Sequence, residues 1–277
     1  MLDVAKHAGV SQTTVSFVVN KVLSANIPEE THARVLAAIK ELGYRPNATA
    51  RSLRSQRSHM FGFLSDEVAT TPYAGKIIQG AQDAAWDSKK MLLIVNTDRR
   101  TDIESAAIEM LLERQVEGII YATMFHRPVA PPLALSHVPV VLLDCFVEDR
   151  SLPSVVPDEV RGGRAATEVL IQKGHRRIGF LNNIDPIPAS FGRFVGYKQA
   201  LADYAIAFDE ALVETGESTA RGGYDAALVL IHRSAPTALF CFNDRMAMGA
   251  YDAVRKLGLN IPHDVAIVGF DNQELIA

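Results

Sequence analysis

Over the first 43 residues, apolar positions recur three times at the spacing of one helix face. Leu2, Val4, Ala5 and Ala8 share one face of a first helix, which Gly9 ends. Ser11 can place its hydroxyl on the free amides of a second helix, whose inward stripe is Val15, Val18 and Val19. A third helix starts at Pro28, with Glu29 and Glu30 favouring the positive end of its dipole. Its predicted buried stripe is Val35, Leu36, Ile39 and Leu42, and Gly43 stops it. From Met60 the pattern changes, and short apolar runs alternate with amphipathic segments. The runs predict strands at 60–64, 91–96, 118–122, 138–144, 177–181, 238–242 and 265–270. The segments between them predict helices at about 74–88, 102–114, 160–173, 193–204, 221–232 and 244–257. Such alternation implies parallel sheets flanked by helices, an α/β fold.

Two short helices joined through a Gly turn, with a third closing the core, make a helix-turn-helix. The outer side of the second helix, Gln12, Thr13, Ser16 and Asn20, is polar and uncharged. A face of amides and hydroxyls is made to hydrogen-bond, and with Phe17 it can enter a DNA major groove. A structural three-helix bundle with a polar surface has the same periodicity.

Charge changes that balance. The 277 residues carry 28 Lys and Arg against 32 Asp and Glu, a net of −4. Residues 1–58 hold eight of the bases and four of the acids, net +4, which leaves −8 for the rest. A basic head on an acidic body suggests that the head alone meets a polyanion. The stretch YRPNATARSLRSQRS (44–58) is basic and breaks from the preceding helix at a proline. Asn47 can cap a short helix there. Arg45, Arg51, Arg54 and Arg57 suit phosphates, and the isolated Leu53 suits a wedge in the minor groove. The other reading is a basic linker with Leu53 docked on the body.

Other classes lose ground. No apolar run reaches the roughly 18 residues of a membrane span; VPVVLLDCFV (138–147) is short and contains Asp144. No secretory h-region opens the chain. The two cysteines, Cys145 and Cys241, form no CxxC pair, which fits a reducing cytoplasm and suggests no metal site. GxSxG, GxxxxGK[ST] and HExxH motifs are absent, and the paired Gly162-Gly163 lacks dinucleotide-binding spacing. Neither an enzyme nor a cofactor is expected.

In open parallel sheets ligands sit beyond the carboxyl ends of the strands. The polar residues there are Asp66, Glu67, Asn96, Asp98, Asp144, Asn182, Asn183, Asn243, Asp244, Asp271 and Asn272, with Arg193 placed at the opening of a helix. Carboxylates, amides and a guanidinium can serve a sugar's hydroxyls as donors and acceptors. For Asp66 and Asp244, helix capping is the simpler expectation.

The segments LDVAKHAGVSQTTVSFVVN and IPEETHARVLAAIKELGYRPNATARSL resemble the headpiece and hinge of the LacI/GalR (lactose/galactose repressor) family of bacterial transcription factors. The resemblance implies a helix-turn-helix headpiece at 1–45, a hinge helix and linker at 46–58, and two Rossmann-like lobes of the type I periplasmic-binding-protein kind. These lobes would run 59–157 and 158–277 and face a cleft. It implies a cytoplasmic, nucleoid-associated repressor, dimeric on a near-palindromic double-stranded operator and controlled by a small effector such as a sugar. DNA contacts would come from Ser11, Gln12, Thr13, Thr14, Ser16, Phe17, Asn20, Asn47, Ala50, Arg51, Leu53 and Arg54. Effector contacts would come from Tyr73, Arg193, Asn243 and Asp271. Many family members have Arg where this chain has Phe17, a ligand-stacking aromatic where it has Ser218, and Asp-Asn where it has Pro157-Asp158. Members usually continue for several dozen residues beyond the position of Ala277, so a C-terminally shortened second lobe is expected. A sugar-binding protein or carbohydrate-active enzyme with an assembly bundle is the competing expectation, but such a module has no need of RPNATARSLRSQR.

Overall fold

In a computed structural model, the structure describes residues 1–45, 57–67 and 72–273, except for the side chains of residues 23 and 72–74. Two compact units divide the chain, Met1–His59 and Met60–Ala277.

In the first unit, α1 (Leu2–Ala8) ends at Gly9, whose φ of 63° is left-handed and costs a glycine nothing. The turn is closed by Val10 N donating to Ala5 O at 3.0 Å, and Val10 folds back onto the core. Ser11 caps α2 (Gln12–Val19), its Oγ accepting from Thr14 N at 3.0 Å. Pro28 precedes α3 (Glu29–Glu41), and past its end Tyr44 N donates to Ile39 O at 3.0 Å. Val4, Ala5, Ala8, Val15, Val18, Val35 and Ala38 form the buried core. Leu2, Leu36 and Leu42, expected inside, are 51%, 48% and 45% exposed. Three short helices cover only a narrow stripe of each other: α3 buries Val35 and Ala38, and Leu36 lies about 100° round from Val35.

The second unit alternates β1 (Met60–Ser65), α4 (Pro72–Asp87), β2 (Met91–Asn96), α5 (Thr101–Glu113), β3 (Ile119–Pro128), β4 (Val140–Phe146) and β5 (Ser154–Val155) in a first lobe. A second lobe follows: α6 (Glu159–Gln172), β6 (Ile178–Asn183), α7 (Pro188–Asp203), β7 (Val213–Gly216), α8 (Ala220–Ser234), β8 (Ala238–Cys241), α9 (Asp244–Lys256) and β9 (Ala266–Val268). Both sheets are wholly parallel, ordered β2-β1-β3-β4-β5 and β7-β6-β8-β9. The strand order reverses at β1 and at β6, so each sheet opens a crevice at its carboxyl edge. Phe63, Leu64 and Leu142 fill the first lobe, and Phe180, Phe240, Leu239 and Leu230 the second, each at most 1% exposed.

Two strands, β5 and β7, were not expected; β5 has two residues, and VETG in β7 is mostly polar because it lies at a sheet edge. Helix α7 starts at Pro188, so Arg193 stands in its second turn and does not open it. The helices α6 and α7 meet at glycines. A Cβ on Gly163 would lie 2.6 Å from Arg193 Cα, and one on Gly196 would lie 2.5 Å from Arg164 N. Only a residue without a side chain allows that approach, and it brings Glu159 of α6 beside Arg193 of α7.

Candidate functional site: recognition helix and interlobe cleft

On α2, Gln12 and Thr13 are exposed, and Phe17 is 36% exposed and outside the valine core. The other predicted contacts are partly engaged within the helix. Ser11 Oγ lies 2.9 Å from Thr14 Oγ1, and Asn20 Nδ2 donates to Ser16 O at 2.7 Å and to Ser16 Oγ at 3.2 Å. These local bonds stiffen both ends of α2 and leave Gln12, Thr13 and Phe17 as its outward group. Asn47, Ala50, Arg51, Leu53 and Arg54 lie outside the described residues.

Between the lobes is a cleft of about 940 Å³. Its second-lobe wall centres on Arg193, 6% exposed. Nε donates to Glu159 Oε2 at 2.8 Å, Nη1 donates to the Phe242 carbonyl, and Nη2 lies 3.6 Å from Asp271 Oδ1. The guanidinium also sits 4.4 Å and 3.8 Å from the ring centres of Phe242 and Phe270. Asn243 joins this wall with its amide already used: Oδ1 accepts from Met246 N at 2.8 Å, capping α9, and Nδ2 donates to Ser218 O at 3.3 Å. Burial raises the pKa of the Asp271 carboxyl, and Arg193 opposes that shift.

The first-lobe wall depends on an irregularity. Pairing of β3 with β4 runs in register to Ala122–Leu143, then resumes at Arg127–Cys145. The bulge sets Thr123, Met124, Phe125 and His126 along the cleft, and the facing Asp144 takes φ 56°. Thr123 Oγ1 donates to Asp144 O at 2.9 Å. Asp66 Oδ1 accepts from Met124 N at 2.8 Å, and Oδ2 pairs with Arg127 Nη2 at 3.3 Å. Asp144, 8% exposed, has its Oδ1 buried without a hydrogen-bond partner. Burial, then the charge of Glu159, pushes its pKa up to about 7. Both ring nitrogens of His126 are likewise buried and unpartnered, and burial lowers its pKa.

The structure therefore brings Arg193, Asn243 and Asp271 together, as expected, while the side chain of Tyr73 lies outside those described. Capping was the wrong expectation for Asp244, while the segment that Asp66 would cap lies partly outside the described residues. Asp66 ties β1 to β3, and Asn243 is the cap of α9 while Asp244 Oδ2 accepts from Gln273 N at 2.7 Å. Asn96, Asp98, Asn182 and Asn272 do not line the cleft. Glu159, His126, Arg127 and Arg245, which sequence reasoning missed, do. Among the described residues no cluster of three or more His, Cys, Asp or Glu could hold a metal ion, and no helix is long and apolar enough to cross a membrane.

A helix-turn-helix headpiece followed by two parallel-sheet lobes around a polar cleft defines a class: ligand-responsive DNA-binding regulators. The comparisons with known proteins agree. Residues 1–47 match the family of bacterial regulatory proteins of the lacI type, and residues 58–274 match the periplasmic binding proteins and sugar binding domain of the LacI family. The HTH-type transcriptional repressor PurR of Pectobacterium carotovorum is 34% identical over 98% of this chain and 80% of its own length. The ribose operon repressor of Escherichia coli is 34% identical over 99% of this chain and 83% of its own length. Among solved structures, the Lac repressor dimer bound to operator and the anti-inducer ONPF superposes with a TM-score of 0.77 at 27% identity, covering 98% of this chain and 82% of that one. The CelR–cellobiose complex gives 0.62 at 29% identity, with the same coverage. The chain belongs to the LacI family of transcriptional regulators. It is a DNA-binding regulator with an effector-binding domain, and its relatives are repressors rather than enzymes.

Proposed function

We propose that this protein represses transcription from a near-palindromic operator as a homodimer, and that a small polyhydroxylated effector, a sugar, seated in the interlobe cleft sets its operator affinity. The observation that carries this reading is the cleft itself, where a buried guanidinium, carboxylates and amides from the two lobes face one space. Arg193 and Asp271 hold the effector from the second lobe, Asn243 shapes the same wall, and Tyr73 contributes from the start of α4. On DNA, residues 1–45 form the headpiece and 46–58 the hinge, with the body divided at about residue 157. Gln12, Thr13 and Phe17 read base edges, supported by Ser11, Thr14, Ser16 and Asn20. Asn47, Ala50, Arg51 and Arg54 serve the hinge contacts, and Leu53 enters the minor groove. Phe17 offers only apolar contact, so it favours a thymine methyl where an arginine would select guanine. One headpiece makes few base contacts, hence the paired half-sites. Such a protein works in the cytoplasm, at the nucleoid. The ribose and cellobiose named for its relatives support a sugar as the effector class.

The test is to select operators from random DNA, then titrate the purified protein against the best site with and without a panel of sugars. Enrichment of two symmetric half-sites, and a sugar that changes affinity by roughly 5–150-fold, is the expected result. Selection of single half-sites, or no response to any sugar, would remove the dimer or the sugar from this reading.

A further inference from the structure

We propose that Glu159, through its ion pair with Arg193, sets the charge of the effector: the cleft takes an uncharged sugar and rejects its phosphorylated or acidic counterpart. This rests on the reading that the cleft is the effector site, and adds to it a residue and a charge class.

A lone guanidinium in a cleft attracts anions, because its planar fork matches a phosphate or a carboxylate. Arg193 is not alone. Glu159 Oε2 accepts from its Nε at 2.8 Å, and both side chains are buried. Asp271 Oδ1 stands 3.6 Å from Nη2, and the rings of Phe242 and Phe270 lie against the guanidinium. Two carboxylates around one guanidinium leave no positive charge to spare. The N–H groups of Arg193 that remain can still donate to hydroxyls, so a neutral ligand keeps its bonds. Packing holds Glu159 in place: a Cβ on Gly192 of α7 would lie 2.5 Å from Glu159 Cβ. Its second oxygen, Oε1, accepts no hydrogen bond from a described residue and, unlike Asp144 Oδ1, is not closed off from solvent. Glu159 lines the cleft, so an incoming ligand meets that charge.

The rest of the cleft repeats the pattern. Arg99 pairs with Glu67 and Arg127 with Asp66, each at 3.3 Å. The described lining holds seven carboxylates and four guanidiniums, so the acids exceed the bases by three. Arg245, exposed, is the one lining cation without an ion pair among the described residues, and unpaired carboxylates outnumber it. The amides at the start of α9 are no substitute for a cation, because Asn243 Oδ1 already takes Met246 N. A phosphate placed beside Arg193 therefore meets repulsion where two rings exclude water, and the penalty exceeds that in open solvent. A hydroxyl meets none.

The experiment is calorimetric titration of the full chain with matched sugars: ribose, glucose and fructose, each against its terminal phosphate ester, and galactose against galacturonic acid. At least one neutral sugar should bind, and its anionic counterpart should bind at least about tenfold more weakly at low salt. Glu159→Gln has nearly the same shape with one charge fewer, so it adds no room for a bulkier ligand. It should narrow that gap about fivefold, a change that a purely structural role for Glu159 does not produce. Should the variant melt too low to titrate, the wild-type protein still decides the matter. Sodium chloride at about 0.5 M should narrow the same gap about threefold, since salt screens charge and leaves size untouched. An anionic sugar binding as tightly as its neutral partner, a folded Glu159→Gln that weakens both alike, a gap indifferent to salt, or no binding by any neutral sugar would each overturn the inference. An anionic sugar that binds tightly and shifts operator affinity leaves the function proposed above standing while this inference falls. If no sugar of either kind shifts operator affinity, the function proposed above fails as well.

Discussion

The two walls of the cleft are built in opposite ways. On the second lobe the polar groups are already bonded to one another: Arg193 to Glu159 and the Phe242 carbonyl, Asn243 to Met246 N and Ser218 O. On the first lobe the groups nearest the cleft are held by backbone geometry, a bulge and a left-handed Asp144, and two of them are left unpartnered. One wall is closed by side-chain pairing, and the other joins bonded groups, Asp66 with Met124 N and Arg127, to two that are unpartnered. A ligand gains most where bonds are unmet, and it is best oriented where they are fixed.

Breaking the second-lobe wall should cost the most. Glu159→Ala leaves Arg193 buried with only a carbonyl and a more distant Asp271, and removing one partner of a buried pair typically costs about 3–5 kcal/mol. Urea unfolding followed by circular dichroism measures this, and a loss under about 1 kcal/mol would mean that water compensates the guanidinium. Next in size, Gly163→Ala puts a methyl against the Arg193 backbone and forces α6 from α7, at about 1–3 kcal/mol by the same assay. Gly163→Ala should also weaken sugar binding, since α6 and α7 carry Glu159 and Arg193.

Much of this was readable from the chain, and the misses share a cause. Strands such as ALFC of β8 are apolar throughout because a central parallel strand is covered on both faces, and the pattern finds them. The polar edge strand VETG has no such pattern. Asp144 and Asp271 were legible as polar residues at strand ends. Glu159 was not, because its meaning lies in a partner 34 residues away, reached only through glycine-mediated helix contact. His126 was missed because a bulge, which no periodicity announces, decides where it points. In the headpiece, Leu36 and Leu42 satisfied the helical spacing, yet a small core had no surface to cover them.

On the first-lobe wall, substitution should stabilise the protein. Asp144 has a folded pKa of about 7 against an ordinary 3.8, so between about pH 4 and 7 the folded state holds a proton that the unfolded chain releases. Stability from this group is therefore full at low pH and is lost as pH rises through 7; Asp271, also raised, has the same sign. Asp144→Asn removes the first of these slopes. Relative to wild type it should gain about 1–2 kcal/mol between pH 5 and pH 8, part of the nominal shift being relaxed by water in the cleft. Melting temperatures across that range test the point, and parallel curves for the two proteins would place the ionised carboxylate in better-solvated surroundings than its buried Oδ1 indicates.

The smallest effect on stability belongs to His126→Phe. The imidazole nitrogens are buried and make no hydrogen bond, and its aromatic contact is an edge-on approach to Phe146 with ring centres 5.3 Å apart. A phenyl ring can keep that contact while removing two buried nitrogens that nothing satisfies, so the unfolding free energy should stay within about 0.5 kcal/mol of wild type. Binding should behave differently. If the ring nitrogen accepts a bond from the effector, its loss costs about 1–1.5 kcal/mol, or roughly 5–12-fold in affinity. Unfolding and sugar titration of this one variant therefore separate the two walls. A residue of the second-lobe wall loses stability first, whereas His126 should lose only affinity. A His126→Phe protein that melts several degrees lower would show that the imidazole has a partner in the folded chain, and the first-lobe wall would then be as complete as the second.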